Sequence, residues 1–334
     1  MPHPGLVAAI EIGAGLIACF GTRALIPLLR RGAVLDRPNE RSSHAMPTPR
    51  GGGIAPVAAI ILAWLALLAV GLAGSGIVLV LAGAVLLAAV SWLDDIGGLS
   101  PAWRLLAQVA AVGCGVLLLA RVGPVFQGRL PAVLDVVAAA LVWIWFVNLF
   151  NFMDGIDGLA GSETAEIAIG LLLFATWGAG QDPGFAALSG AVALAAIGFL
   201  VWNWAPARIF LGDVGSVPLG FLLGFLLLDE AARGRWKLAL ILPLYFLADA
   251  TIILLRRVAR GERVWQAHRQ HFYQRAVQRG FGHAAVTSRV IAANLLLIGC
   301  GWAAENGAGW YALAAAAVIV LLLLASLAQT HRAR

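Results

Sequence analysis

Long apolar runs separated by short polar stretches make up most of the chain. Eleven runs are long enough to predict helices that cross about 30 Å of hydrocarbon, although several are near the lower limit of roughly 17 residues. They fall near residues 6–29, 54–74, 76–93, 105–120, 131–147, 163–179, 184–203, 214–230, 237–255, 287–304 and 309–328. The pattern predicts an all-α polytopic membrane protein of about 11 transmembrane helices, with residues 1–334 forming a single integral-membrane domain.

A polar stretch between the fifth and sixth runs reads NLFNFMDGIDGLAG, from Asn148 to Gly161. Its amides and carboxylates recur at every third position: Asn148, Asn151, Asp154 and Asp157. If the stretch is helical, this spacing puts the four side chains on roughly one face, and the glycines among them allow close approach. A polar loop with turn glycines is the alternative. Polar groups held this close to lipid are costly, so the stretch predicts a functional site.

The composition agrees with a membrane protein, since 61% of the residues are hydrophobic and 12% are charged. The three cysteines lie inside apolar runs, so no disulfide framework is expected. The net charge of +6 comes almost wholly from arginine, because Lys237 is the only lysine. In a membrane protein such an excess reports orientation, so no nucleic-acid partner is expected.

The distribution of basic residues predicts the orientation. Sixteen of the 23 lysines and arginines lie in the C-terminal tail and in the loops at 30–53, 94–104, 148–162, 204–213 and 256–286. Because cytoplasmic loops carry the positive excess, we expect the N-terminus outside and the C-terminus in the cytoplasm. The five loops then form the cytoplasmic face, where we expect the active site.

Five aspartates reach the predicted cytoplasmic face: Asp94, Asp95, Asp154, Asp157 and Asp213. Carboxylate oxygens suit a hard cation such as Mg²⁺, and adjacent acids repel each other unless a cation neutralises them. Taken one at a time, a solvated turn explains Asp94 and Asp95, and a helix N-cap explains Asp213. Their shared face favours a metal site.

Two basic loops on the same face are candidates for binding phosphate. The first ends in three glycines, whose backbone amides suit an anion, and carries these polar residues: Ser42, Ser43, His44, Thr48 and Arg50. A solvated positive loop is the alternative there. The last loop holds seven arginines around His268 and His271, which are three apart and can face one site. Zinc binding by these histidines would need a third ligand that is not evident nearby, so phosphate contact is favoured.

Five motifs occur in the order typical of one family: RSSHAMPTPRGGG, SWLDDIGGLSPAWR, NLFNFMDGIDGLAG, FLGDVGSVPLGF and HRQHFYQR. Through these motifs, from Arg41 to Arg275, the chain resembles the polyprenyl-phosphate N-acetylhexosamine-1-phosphate transferases. Each motif is moderately specific, and five in order are very specific. The HRQHFYQR form is most similar to the O-antigen-initiating branch, and it departs from the consecutive histidines of the phospho-MurNAc-pentapeptide translocase.

The resemblance implies a role for each matching residue. Asp213, Asp95 and Asp154 are expected to bind Mg²⁺, or Mn²⁺ as a substitute. The catalytic residues are expected to be Asp94, Asp95, Asp154, Asp157, His268 and His271. Contacts to the UDP-sugar and its phosphates are expected from Asn148, Asn151, Arg50 and Arg269.

The implied reaction transfers an N-acetylhexosamine-1-phosphate from a UDP-sugar to undecaprenyl phosphate and releases UMP. It would be the first membrane step of O-antigen or related polysaccharide synthesis, in a multi-pass protein of the bacterial inner membrane. Two rivals stay open: an intramembrane Mg²⁺-dependent prenyltransferase, which leaves the arginine and histidine loop unexplained, and a transporter, whose charged site would lie near the midplane. The sequence does not fix the sugar, the acceptor chain length or a homodimeric assembly.

Overall fold

The computed structural model describes residues 3–36, 47–178, 181–263 and 268–329 of the chain. Within them the chain forms thirteen α-helices, one π-helical turn and a two-stranded antiparallel sheet. The helices are α1 (Pro4–Arg31), α2 (Ile54–Ala69), α3 (Ile77–Gly97), α4 (Pro101–Val122), α5 (Ala132–Phe152), α6 (Leu159–Trp177), α7 (Pro183–Asn203), α8 (Asp213–Ala232), α9 (Trp236–Ile241), α10 (Leu244–Ala259), α11 (Phe272–Gln278), α12 (His283–Ala303) and α13 (Gly309–Ala328). The strands are β1 (Leu35–Asp36) and β2 (Thr48–Pro49), and the π-helical turn is Ala304–Ala308.

Each predicted apolar run contains a helix, so the chain is an all-α polytopic membrane protein. By length and apolar character, eight helices among the described residues can cross a membrane, with His283–Ala328 counted as one stretch of 46 residues. That stretch is broken at Asn306 and Gly307, whose φ angles of −101° and 97° depart from a helix, so it comprises α12 and α13. The helix α2 is shorter, with 16 residues. The number of spans stays a prediction.

The ninth predicted run, at 237–255, is divided into two helices. The short α9 ends at Ile241, and α10 starts at Leu244. Pro243 lies between them, and its ring removes the N–H group that a continuous helix would need. The apolar pattern predicted the two ends of this run, and the proline explains the break inside it.

The bundle has a buried interior and an apolar outer surface. Most residues of α6, α7 and α8 are buried, and α8 packs against α3 and α5. By contrast, large apolar side chains such as Leu117, Leu141 and Leu321 are more than 60% exposed on outer helices. An apolar surface of this extent suits lipid rather than water.

Candidate active site

The first and fourth polar loops run side by side at one end of the bundle. The N–H groups of Gly52 and Gly53 donate to the carbonyls of Phe210 and Leu211 over 2.8 and 2.9 Å. An added Cβ on Gly53 would lie 2.2 Å from the Cα of Gly215, so only glycine fits against the start of α8. These contacts fix the position of the residue just before the three glycines.

That residue, Arg50, bridges two of the aspartates that were predicted to bind metal. Its Nη2 lies 2.8 Å from Oδ1 of Asp95 and 2.6 Å from Oδ1 of Asp213. The side chain of Asp95 is fully buried, whereas that of Asp213 is 16% exposed. The predicted phosphate-binding loop and the predicted metal site are therefore parts of one cluster.

Asp95 also caps α8 from another helix. Its Oδ1 accepts a hydrogen bond from the N–H of Asp213 at 3.2 Å, and its Oδ2 accepts one from Val214 at 3.0 Å. A capping oxygen is normally supplied by the residue just before the helix, which here is Gly212. Asp213 is the first helical residue, so its carboxylate is not the N-cap.

Arg104 is a member of the cluster that the sequence analysis did not assign. Its Nη1 lies 3.0 Å from Oδ2 of Asp94 and 3.9 Å from Oδ2 of Asp213. The N–H of Leu99 donates to the other oxygen of Asp94 over 2.5 Å. Arg104 belongs to the SWLDDIGGLSPAWR motif, and its place in the first turn of α4 is the signal that could have identified it.

The stretch from Asn148 to Gly161 is helical only in its first part. The helix α5 ends at Phe152, and the following residues form a loop up to Gly158, whose φ is 76°. The helical interpretation of this stretch predicted that the four polar residues share one helix face. The structure contradicts that prediction, because the helix ends before the two aspartates. The predicted close approach is present, because an added Cβ on Gly155 would lie 2.2 Å from Oη of Tyr273.

The two asparagines of this stretch lie on the last turns of α5. The Nδ2 of Asn148 donates to Oε1 of Gln108 over 2.7 Å, and Nε2 of Gln108 donates back over 3.3 Å. The amide of Asn148 thus joins α5 to α4. Asn151 lies one turn further towards the loop and is partly exposed.

Asp154 is the partly accessible acid of the loop, and it interacts electrostatically with the cluster. Burial raises the pKa of Asp154 to about 7, and the carboxylates of Asp213, Asp95 and Asp157 add to this shift while Arg50 opposes it. The negative charge around Asp154 therefore exceeds the positive charge, and a bound cation would neutralise the excess.

Asp157 is turned towards the neighbouring elements. Its Oδ1 lies 3.1 Å from Nδ1 of His283, and its Oδ2 accepts a hydrogen bond from the N–H of Ala207 at 3.0 Å. The hydroxyl of Thr287 donates to the carbonyl of Asp157 over 3.0 Å. Asp157 thus joins the loop to α12 and to the fourth polar loop. The sequence analysis missed His283, since a lone histidine at the start of a helix carries no distinctive spacing.

The buried residue Asp249 orients His271. Its Oδ1 lies 3.0 Å from Nδ1 of His271 and accepts the N–H of Phe272 at 3.1 Å. Its Oδ2 accepts the hydroxyl of Tyr245 at 3.3 Å. The hydrogen bond to Asp249 holds the imidazole ring of His271 in one orientation.

His268 and His271 face one place, as their spacing predicted, with ring centroids 4.8 Å apart. Burial, together with the neighbouring His271 and Arg257, lowers the pKa of His268 to about 4. His268 is therefore neutral at pH 7. The N–H of Gln270 donates to its Nδ1 over 3.3 Å, so the proton lies on Nε2, which can donate to an anion.

The histidine loop contacts the Asn148–Gly161 stretch through Tyr273. Its hydroxyl donates to the carbonyl of Phe152 over 2.9 Å. Tyr273 also interacts electrostatically with Asp154. The structure therefore brings the histidines and the loop that carries Asp154 to the same end of the bundle.

Arg269 lies on another side of the histidine loop. It lines a polar cavity of about 330 Å³ whose walls also include Arg256, Arg260, Gln270, Arg275 and Gln278. The predicted phosphate-binding residues Ser42, Ser43 and His44 lie outside the described residues.

Comparison with known proteins decides the family. A phospho-N-acetylmuramoyl-pentapeptide-transferase of Synechococcus sp. is 32% identical over an alignment that covers 90% of this chain and 93% of that protein. The chain belongs to the polyprenyl-phosphate N-acetylhexosamine-1-phosphate transferase family. The family model described as glycosyl transferase family 4 matches residues 77–230, which include the five aspartates of the predicted site.

Two other transferases that act on polyprenyl phosphates are also similar to the chain. A decaprenyl-phosphate N-acetylglucosaminephosphotransferase of Mycobacterium tuberculosis is 29% identical over an alignment that covers 84% of this chain and 78% of that protein. A probable undecaprenyl-phosphate N-acetylglucosaminyl 1-phosphate transferase of Bacillus subtilis is 26% identical over an alignment that covers 81% of this chain and 78% of that protein. These relatives favour the transferase over the prenyltransferase and transporter alternatives.

The carboxylates of this family member fit a divalent cation by charge. Arg50 and Arg104 supply two positive charges to the carboxylates of Asp94, Asp95 and Asp213, and Asp154 adds a fourth carboxylate that interacts with them electrostatically. Over the ranges that the structure describes, no three His, Cys, Asp or Glu side chains converge as a ready metal site. Mg²⁺ commonly takes one or two protein carboxylates and completes its shell with substrate phosphates and water, so this arrangement suits it.

Gly53→Ala should disturb the cluster through packing alone. The new Cβ would collide with the backbone of Gly215, which separates the loop that carries Arg50 from α8. We expect a loss of stability of about 1–3 kcal/mol and a fall in activity. Gly113→Ala is the matched control, because nothing lies within 4 Å of its added Cβ. Equal thermal unfolding and activity of the two variants would show that this packing is unimportant.

Proposed function

We propose that the chain transfers an N-acetylhexosamine-1-phosphate from a UDP-sugar to undecaprenyl phosphate, giving undecaprenyl-pyrophosphoryl-sugar and UMP. The observation that carries this proposal is the cluster of Asp94, Asp95 and Asp213 with Arg50 and Arg104 at one end of an apolar bundle. The names of the relatives support the use of a polyprenyl phosphate acceptor.

The reaction balances as a single displacement at phosphorus. An oxygen of the acceptor phosphate forms a bond to the β-phosphorus of the donor, and the bond from that phosphorus to the bridging oxygen of UMP breaks. The second pKa of a phosphate monoester is about 6, so the acceptor is largely dianionic at neutral pH and needs no base. We therefore assign Asp94, which is bonded to Arg104, the role of orienting the site.

Asp213 and Asp154 are the residues that would hold Mg²⁺, with Asp95 next to them. When bound, the metal would neutralise the charge that develops on the phosphates. Arg50 and Arg104 would attract and align the phosphate groups. His268, which is neutral and protonated on Nε2, would donate a hydrogen bond to the pyrophosphate.

An apolar groove supports a lipid acceptor. A cavity of about 420 Å³ opens between α5, α8, α9 and α10. Its walls include Trp143, Phe146, Leu228, Trp236, Leu240 and Leu247. Such a groove suits an isoprenoid chain, and the chain could enter it from the surrounding lipid without crossing water.

The donor and the pathway follow from the sequence of the histidine loop. The HRQHFYQR form supports the O-antigen-initiating branch, with UDP-GlcNAc or a UDP-N-acetylated 6-deoxyhexosamine as the donor. A panel of UDP-sugars assayed with the purified protein tests this assignment. Selective use of UDP-MurNAc-pentapeptide would contradict it.

We also propose that the acid cluster faces the cytoplasm of a bacterial inner membrane, with the N-terminus outside. In a cysteine-free background, Gln127→Cys should then label from outside intact cells, and Gln278→Cys only after the cells are opened. Both positions are exposed, and they lie in loops assigned to opposite sides. The opposite labelling pattern would reverse the orientation. A cysteine at Gly180 is also predicted to label from outside, and that position is not among the described residues.

The assay that tests the activity uses purified protein in lipid nanodiscs. UMP should appear from the UDP-sugar only when polyprenyl phosphate and Mg²⁺ are both present. Release of UMP without the lipid would indicate hydrolysis. Release of inorganic pyrophosphate from a prenyl diphosphate would indicate a prenyltransferase.

The histidine loop should act without zinc. Because His268 donates as a neutral group, His268→Gln should retain more activity than His268→Ala, and neither change should alter the metal content. The enzyme should need added Mg²⁺ or Mn²⁺ and should contain no stoichiometric zinc. Bound zinc that is lost together with activity in His268→Ala would overturn the phosphate interpretation.

A further inference from the structure

A buried pair of glutamates lies in the membrane domain, away from the aspartate cluster. Glu163 and Glu166 are one helical turn apart on α6, and Asn294 faces them from α12. All three residues are buried: Glu163 is 0% exposed, Glu166 is 7% exposed and Asn294 is 1% exposed. The proposed transfer reaction uses none of them.

One amide group holds both carboxylates. The Nδ2 of Asn294 donates to Oε2 of Glu163 over 2.7 Å and to Oε2 of Glu166 over 2.8 Å. The remaining oxygens, Oε1 of each glutamate and Oδ1 of Asn294, are buried and have no hydrogen-bond donor. Three unpartnered acceptors in one buried place require either donors or a cation.

The helices that pack against α6 bring no positive charge to the pair. Between Pro183 and Asn203, α7 contains no charged or histidine residue. On α12, Arg289 lies over the ring of Phe281, and His283 is bonded to Asp157.

The remaining neighbours are also engaged elsewhere. On α10, Tyr245 interacts electrostatically with Glu163, and its hydroxyl donates to Asp249. The acids of α8 lie at its two ends, where Asp213 is bonded to Arg50 and Glu230 to Arg235. In the part of the chain that the structure describes, neither glutamate of the pair forms an ion pair.

We propose that Glu163, Glu166 and Asn294 form a proton-binding site, in which the two carboxylates hold at least one proton at neutral pH. Two ionised carboxylates this close together and out of water would repel each other, and among the described residues the single amide of Asn294 is too little to compensate for the lost hydration. A proton on either glutamate removes one charge and supplies the O–H donor that the unpartnered oxygens lack. The site then holds α6 against α12 in a pH-dependent manner.

The sign of the pH dependence follows from proton linkage. The folded pair holds a proton that the exposed carboxylates of the unfolded chain release at lower pH. The folded protein therefore binds more protons than the unfolded one at neutral pH, and the pair loses stability as the pH rises. Replacing the two glutamates with uncharged glutamines should remove this loss of stability at high pH.

The test compares the full-length protein with the Glu163→Gln, Glu166→Gln and double variants in detergent. From about pH 6 to about pH 9, the fall in melting temperature should be smaller in the double variant than in the wild type, by at least about 3 °C. Glu262→Gln should keep the wild-type fall, because the hydrogen bond from Arg257 lowers the pKa of the Glu262 carboxyl and it therefore holds no proton in this pH range. An identical fall in the double variant would overturn the proposal.

A second measurement detects the bound proton directly. Infrared spectra at neutral pH should show a protonated carboxyl band in the wild type that persists in Asp154→Asn and is lost in the double glutamine variant. Sodium is the competing occupant. If the wild type gains stability in Na⁺ relative to choline at equal ionic strength, and the band is absent, the site binds sodium and the proton assignment is wrong.

Discussion

Asp213→Asn should leave the fold intact and reduce transfer by more than a hundredfold, or about 3 kcal/mol of transition-state stabilisation. The change replaces a carboxylate with an amide of the same size, so it removes the charge that would hold Mg²⁺ next to the phosphates. The helix start should survive, because the capping oxygens of α8 come from Asp95. The measurement is the rate of UMP formation, with thermal unfolding to confirm the fold.

Asp182→Asn is the matched control for this variant. Asp182 lies at the N-cap of α7, at the other end of the bundle, and asparagine caps a helix about as well. It should retain nearly full activity. Wild-type turnover of a folded Asp213→Asn protein would show that Asp213 does not hold the metal.

Asp249→Ala should be the most destabilising single change near the site. It removes the acceptor for His271, for the N–H of Phe272 and for the hydroxyl of Tyr245, all of which stay buried. Leaving a buried donor without an acceptor costs about 1–3 kcal/mol for each group. We also expect low activity, since His271 loses the group that holds its ring in place.

Asp249→Asn separates the effect on stability from the effect on activity. Its amide oxygen can still accept from the backbone, so the loss of stability should be smaller than in the alanine variant. Thermal unfolding of both purified variants measures the difference. An alanine variant as stable as the wild type would show that the histidine loop does not depend on Asp249.

The membrane fold was predictable because apolar length is a strong signal, and the places where the prediction failed have local causes. Pro243 divides a run that hydropathy alone reads as continuous. The helix α5 ends at Phe152, where a regular three-residue spacing suggested that it would continue. Spacing shows where polar residues recur, and it does not show where the backbone leaves the helix.

The candidate site was predictable as a set of residues, and much less as a set of contacts. The shared face of the aspartates indicated a cluster, which Arg50 joins in the structure. No local pattern could show that Asp95 caps a helix more than a hundred residues away, or that Asp157 meets His283. Such pairings depend on how the helices pack, which the sequence of one element does not contain.

The most direct test of the proposed chemistry follows the β-phosphate of the donor. The purified protein is given a UDP-N-acetylhexosamine labelled with ³²P in that phosphate, together with undecaprenyl phosphate and Mg²⁺. Transfer of sugar-1-phosphate puts the label into the lipid and releases unlabelled UMP, and Asp213→Asn should nearly abolish this product. Transfer of the sugar alone would leave the label in UDP, and that result would contradict the account.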